Sequence, residues 1–133
     1  MKVRALGLRE LAWFIDKTGY DAPPGFRGLV ALGDDGQPRG VVGFDRWTPA
    51  SASVHVAAQP TALRLLLREG LGYVFGQCGR KLVRGEVRES NGPVRRMAVR
   101  MGFTESGRVE GGWSEGEALV LYELRREQCR WKV

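Results

Sequence analysis

The chain has 133 residues, 43% of them hydrophobic and 27% charged, with a formal net charge of +6. A chain this long can bury a core without metals or disulfide staples, and the composition excludes wholesale disorder, collagen-like and coiled-coil architectures. No apolar run reaches the ~18 residues a membrane-spanning helix needs, and no secretory signal follows the charged opening Met1-Lys2-Val3-Arg4, so a single cytoplasmic domain over 1–133 is expected.

Val3 to Leu6 reads as a brief strand, after which Leu8, Leu11, Ala12 and Ile15 recur at helical spacing and Gly19 supplies a stop. Asp21 to Gly25 is a loop. Residues 27–32 and a return strand with Val41, Val42 and Phe44 flank 33–38, where Asp35-Gly36 signals a hairpin turn. A second turn at 48–51 leads into a strand over 53–57, so the first half is an antiparallel meander.

From Pro60 the period changes. Leu63, Leu66, Leu67, Gly70, Leu71, Val74, Phe75 and Cys78 trace one face of a helix about five turns long. Gly70, Gly72 and Gly76 weaken it, which points to close packing or to tolerated glycines. Gly79 ends the helix and 82–87 forms a strand, parallel to 53–57 because a long helix joins the two. Asn91 starts a shorter helix with Val94, Met97, Ala98 and Met101 on one face, closed by Gly102. Residues 103–110 and 118–124 complete a hairpin connected by 111–116. The order β-α-β-β-β-α-β-α-β-β predicts an α+β fold, a mixed sheet with helices on its faces.

Cys78 and Cys129 belong to no Cys or His cluster, so neither a disulfide framework nor a zinc site is expected. Arginine supplies 17 of the 21 cationic residues, and the excess concentrates between Arg64 and Arg100. Guanidinium groups bind phosphate and carboxylate bidentately, so the bias suits a nucleotide cofactor, a nucleic acid or a solvated face.

The long helix, the basic strand, Asn91 with Gly102-Phe103 eleven and twelve residues later, and a last strand ending Leu121-Tyr122-Glu123-Leu124-Arg125 together resemble the GCN5-related N-acetyltransferase (GNAT) superfamily. Residues 43–48, 54–56 and 126–131 extend the likeness to small phage- or prophage-type members. The resemblance covers residues 40–131. It implies a mostly antiparallel sheet with helices on both faces and a parallel central strand pair that splays apart to admit acetyl-CoA. The activity it implies is acetyl transfer to a primary amine: a protein N-terminus, a lysine or a small amine.

The resemblance also implies where the co-substrate sits. Val56, Ala57 and Ala58 would pair with the pantetheine arm, Thr61, Ala62, Leu63 and Arg64 would meet the pyrophosphate at the helix start, and Asn91 and Arg95 would lie nearby. A helix N-terminus suits an anion physically, through its exposed N–H groups and dipole. Two departures stand out. The family's phosphate loop reads Arg or Gln, two residues, Gly, one residue, Gly or Ala, whereas Gln59 is followed at those positions by Ala62 and Arg64. Its usual acid, a tyrosine four residues before Gly-Phe, is replaced by Ala98.

His55, the single histidine, is the candidate base, with a structural histidine as the bland reading. Asn91 is a cofactor contact or only a helix cap. Tyr122 and Tyr73 are acids or core, Asp45 and Glu86 are strand carboxylates of undetermined facing, and the four tryptophans read as packing. The expected partners are acetyl-CoA and an amine, with a second copy of the chain as a further one and no metal. Two alternatives stand beside the enzyme: a catalytically degenerate GNAT-fold binding or assembly protein, phage-associated, and, ranked last, nucleic-acid binding through the arginine excess.

Overall fold

A computed structural model of the chain describes residues 1–131. The elements follow in the predicted order: β1 (Lys2–Ala5), α1 (Leu8–Thr18), β2 (Arg27–Leu32), β3 (Pro38–Asp45), β4 (Ser51–Ala58), α2 (Pro60–Leu71), β5 (Leu82–Arg88), α3 (Gly92–Arg100), β6 (Thr104–Ser114) and β7 (Glu117–Arg125). They build one seven-stranded sheet in the order β1-β2-β3-β4-β5-β7-β6. Every neighbouring pair is antiparallel except β4 and β5. The long crossover between those two strands dictates the exception.

Local chemistry sets the boundaries. The Glu10 carboxylate accepts from the Gly7 N–H at 3.0 Å and from Arg4 at 2.8 Å, closing the start of α1. Gly19 ends that helix in the left-handed region, φ 70°, its N–H donating to the Ile15 carbonyl. Asn91 caps α3 by accepting from the Val94 N–H at 3.3 Å.

Strand alternation sorts the side chains onto two faces. Val42, Phe44, Ala52, Val83, Val120, Tyr122 and Leu124 pack with Leu66, Leu67, Leu71, Val74 and Phe75 from the long helix and with Ala98 and Met101 at α3. On the opposite face α1 lays Phe14 against Val30 and Val41, with Tyr20, Phe26 and Ala57 around them. Each fully buried large side chain contributes roughly 1.5–3 kcal/mol, so the first cluster dominates. A methyl on Gly70 would lie 2.8 Å from Val42 Cγ1, so close helix–sheet packing requires that glycine; Gly76 has open space and is simply tolerated.

Two elements differ from expectation. The long helix is α-helical only to Leu71 and continues as a π-helical segment over Gly72–Gln77, where three glycines in eight residues weaken the regular ladder. Residues 111–114 belong to β6, and the turn is confined to Glu115 and Gly116; Gly111, φ 69°, lets the strand run on past an irregular register.

Candidate active site

Strands β4 and β5 are in register over only three pairs, Ser51–Leu82, Ala52–Val83 and Ser53–Arg84. Beyond them β4 stays on β3 as far as Ala58 while β5 stays on β7 as far as Arg88. Each strand follows its outer partner, so the two diverge. Arg84 pins the point of separation: Nε donates to Ser51 Oγ at 3.0 Å, Nη1 to Ser53 Oγ at 2.9 Å, and Nη2 to the Arg46 carbonyl at 2.6 Å.

The wedge holds a cavity of about 320 Å³. Val54 and Val56 line one side and Gly85 and Val87 the other, with Leu67, Leu71, Met97 and Ala98 closing it on the α2–α3 side. His55, Glu86 and Tyr20 also line it. Alternation places His55 and Glu86 on the α1 side of the sheet, so the cavity passes through the sheet between the parted strands. Backbone groups along such an edge require a partner, which an extended chain bearing amides supplies in the manner of an added strand.

At the α1 end three side chains form a relay. His55 Nε2 lies 2.8 Å from Asp45 Oδ1, and the Tyr20 hydroxyl donates to Asp45 Oδ2 at 2.5 Å. Asp45 is 1% exposed. A carboxylate only accepts, so Nε2 is the donor to Asp45, and in the neutral imidazole that leaves the lone pair on Nδ1. Tyr20 stacks on the imidazole, ring centroids 4.3 Å apart, and fixes its plane. Burial and the hydrogen bond to Asp45 push the Tyr20 phenol up to about 12, which keeps it a donor. The space these rings need comes from Gly43, where a methyl would collide with the Phe26 ring lying between Phe14 and His55.

The residues anticipated for the co-substrate are scattered. Val56 lines the wedge; Ala57 packs in the α1 cluster and Ala58 against the main core. At the start of α2, Thr61 and Arg64 are exposed, Leu63 is half-buried and Ala62 is fully buried. That terminus has few donors to offer: the Gln59 N–H goes to the Arg39 carbonyl, Pro60 has none, and the Ala62 N–H returns to the Gln59 carbonyl. Asn91 caps α3 and lines the wedge as well. Arg95 is committed elsewhere, donating to the Tyr122 hydroxyl at 3.0 Å and the Glu89 carbonyl at 3.2 Å.

Tyr122, 3% exposed, lines the wedge from β7. Its oxygen accepts from Arg95 Nε, which leaves its own proton uncommitted to that bond. Trp113, read from the sequence as a packing residue, is 52% exposed on β6 at the α1-side rim, with the Arg88 guanidinium 5.2 Å from its ring. Cys78 and Cys129 are free, and among the described residues no cluster of metal ligands occurs. Sequence reasoning did not bring Asp45 to His55 or Arg84 to Ser51 and Ser53. The first pairing had a signal, since a turn centred near residue 49 sets Asp45 opposite Ser53 and Gly43 opposite His55; Tyr20 and Arg46, on loops, had none.

No protein-family model and no curated protein matches the sequence significantly. Solved structures do. The spermidine/spermine N-acetyltransferase SpeG from Vibrio cholerae superimposes with a TM-score of 0.75 at 15% identity, covering 93% of this chain and 91% of that one. A spermidine N-acetyltransferase from Vibrio cholerae in complex with CoA and spermine gives 0.71 at 16% identity, covering 92% and 78%. A GNAT-family protein from Desulfovibrio desulfuricans gives 0.75 at 21% identity, covering 93% and 98%. The mixed α+β architecture, a seven-stranded and mostly antiparallel sheet with the parallel pair β4–β5 and three helices, agrees with this likeness: the chain has the fold of the GCN5-related N-acetyltransferases.

Proposed function

We propose that the protein transfers an acetyl group from acetyl-CoA to a primary amine. The observation that carries this reading is the open wedge between β4 and β5, with the His55–Asp45 pair at its α1-side end. Residues present suit such a co-substrate: the slot is apolar where a pantetheine arm would lie, Asn91 borders it, and Arg64, Arg68 and Arg96 are exposed on α2 and α3. The spent amides at the start of α2 leave the anionic end to those guanidinium groups, which bind phosphate bidentately.

Acetyl-CoA supplies an activated thioester carbonyl when bound. The protein's share is proton handling and placement. His55 Nδ1 takes the proton from the incoming ammonium, and Asp45 steadies the imidazolium that results. The amine then forms the C–N bond as the C–S bond breaks; Tyr122, in place of the missing tyrosine at Ala98, gives its proton to the departing sulfur, and the proton that the nitrogen sheds on becoming an amide restores the phenol. Strand-edge amides facing the wedge stabilise the developing oxyanion.

A second reading, a GNAT-fold module without turnover, is favoured by one observation: the same spent amides at the start of α2. Calorimetry with acetyl-CoA followed by thiol release with amines separates the two. Binding with turnover supports transfer; binding without turnover, or no binding at millimolar acetyl-CoA, overturns it.

A further inference from the structure

A second cavity, about 280 Å³, lies on the α1 side and is lined by Tyr20, Arg46, His55, Glu86, Trp113 and Leu119 among others. It shares Tyr20, His55, Glu86 and Trp113 with the wedge, so a molecule seated there reaches the proposed base. Its volume is at the small end for ligand pockets, which start at roughly 300 Å³.

Charge decides what fits. Asp45 has both oxygens occupied, Arg84 is spent on Ser51, Ser53 and the Arg46 carbonyl, and Arg88 is paired with Glu117 at 2.8 Å. Among the described residues, the Lys, Arg, Asp or Glu side chains that line this cavity are Arg46 and Glu86, which face each other at 3.2 Å and are about half exposed. An ion pair so open to water is held weakly and exchanges readily. A polycation gains only Glu86 and meets Arg46 as a like charge. A zwitterion replaces both halves of the pair, its carboxylate on Arg46 and its ammonium on Glu86 beside His55.

Arg46 is also the one described non-glycine residue in the left-handed region, φ 49°. Its carbonyl is locked there by Arg84. Such strain persists where surrounding contacts over-determine it, and it gathers at functional sites.

We propose that the acceptor is a small zwitterionic amine, an apolar α-amino acid bound with its carboxylate on Arg46, its amine between Glu86 and His55, and its side chain among Trp113, Tyr20 and Leu119. The proposal rests on the transferase reading above and sets this site apart from those of the structural neighbours described with spermidine and spermine.

The test compares phenylalanine, 2-phenylethylamine and spermidine as acceptors in thiol-release assays at saturating acetyl-CoA, with acetyl-CoA binding measured separately by calorimetry. Phenylalanine is expected to exceed both amines in kcat/KM. Arg46→Ala should raise the phenylalanine KM roughly tenfold, the loss of one charge-assisted contact, and lower the 2-phenylethylamine KM, since Glu86 is freed and a like charge removed. Arg46→Glu should move the preference toward spermidine. Acetyl-CoA binding with spermidine or 2-phenylethylamine as the better acceptor, or a phenylalanine KM indifferent to Arg46→Ala, overturns the acceptor assignment alone. Absence of acetyl-CoA binding overturns the transferase reading and this proposal with it.

Discussion

Arg84 and Ser53 are the last residues of β5 and β4 in register, and their side chains are joined at 2.9 Å where the strands part. One guanidinium holds both sides of that fork, because it also reaches Ser51 Oγ and the Arg46 carbonyl. Arg84→Ala removes all three donations and leaves the hydroxyl of Ser53, 5% exposed, without that partner, while Ser51 Oγ keeps Thr48 Oγ1 at 2.9 Å. An unsatisfied buried polar group costs about 1–3 kcal/mol, so denaturant unfolding should show a loss in that range. An unchanged midpoint would mean that strand pairing alone fixes the fork.

Gly85 lines the wedge, and a Cβ added there would meet Val54 Cγ1 at an ordinary 3.7 Å. Gly85→Leu should therefore fold, with a side chain occupying the cavity. The expected outcome is a native circular dichroism spectrum with acetyl-CoA heat abolished. Retained acetyl-CoA affinity would place the co-substrate outside the wedge.

Asp45 fixes which nitrogen of His55 is basic. In Asp45→Asn the amide donates as well as accepts, and Nε2 is no longer obliged to carry the proton. Loss of a positioned base costs ~10²-fold or more in kcat, so His55→Gln and Asp45→Asn should each lower kcat by about that factor while acetyl-CoA affinity holds. Activity equal to the native protein in both would remove His55 from the mechanism.

Tyr122→Phe tests the proton donor. Its removal should depress kcat by about 10²-fold without shifting acetyl-CoA affinity, and a native rate would exclude Tyr122 from that role.

Tyr20 ties the site to alkaline stability. Its phenol is pushed up to about 12 in the folded chain, chiefly by burial and then by Asp45, against about 10 when unfolded. The folded state favours the neutral form, so this contribution is complete below about pH 10 and is lost as pH climbs toward about 12. Tyrosinate absorbance of the native protein minus that of Tyr20→Phe should rise near pH 12. A rise near 10 would show the phenol to be unburied.

Much of the fold was legible in the residues themselves. Helix α1 follows from Leu8, Leu11 and Ile15 with Gly19 after them, β2 from its bounds at 27 and 32, and the parallel pair from the length of the connection between β4 and β5. These are local signals, carried by period, caps and turn chemistry, and they act wherever the chain lies. The change to a π-helical ladder at Gly72 and the extension of β6 through Trp113 were less legible, since glycine-rich runs specify no single ladder.

His55, Asn91 and the region of the wedge could be named from the sequence; their working surroundings could not. Asp45 reaches His55 only because β3 and β4 pair in one register. Tyr20 joins them from a loop 25 residues before Asp45, and Arg84 meets Ser51, Ser53 and Arg46 from across more than 30 residues. The sequence alone determined which chemical groups were at hand and the order of the elements. Only the tertiary structure decided which groups share a cavity, because side-chain hydrogen bonds of a few ångströms depend on strand register and loop path, and neither is written in local periodicity.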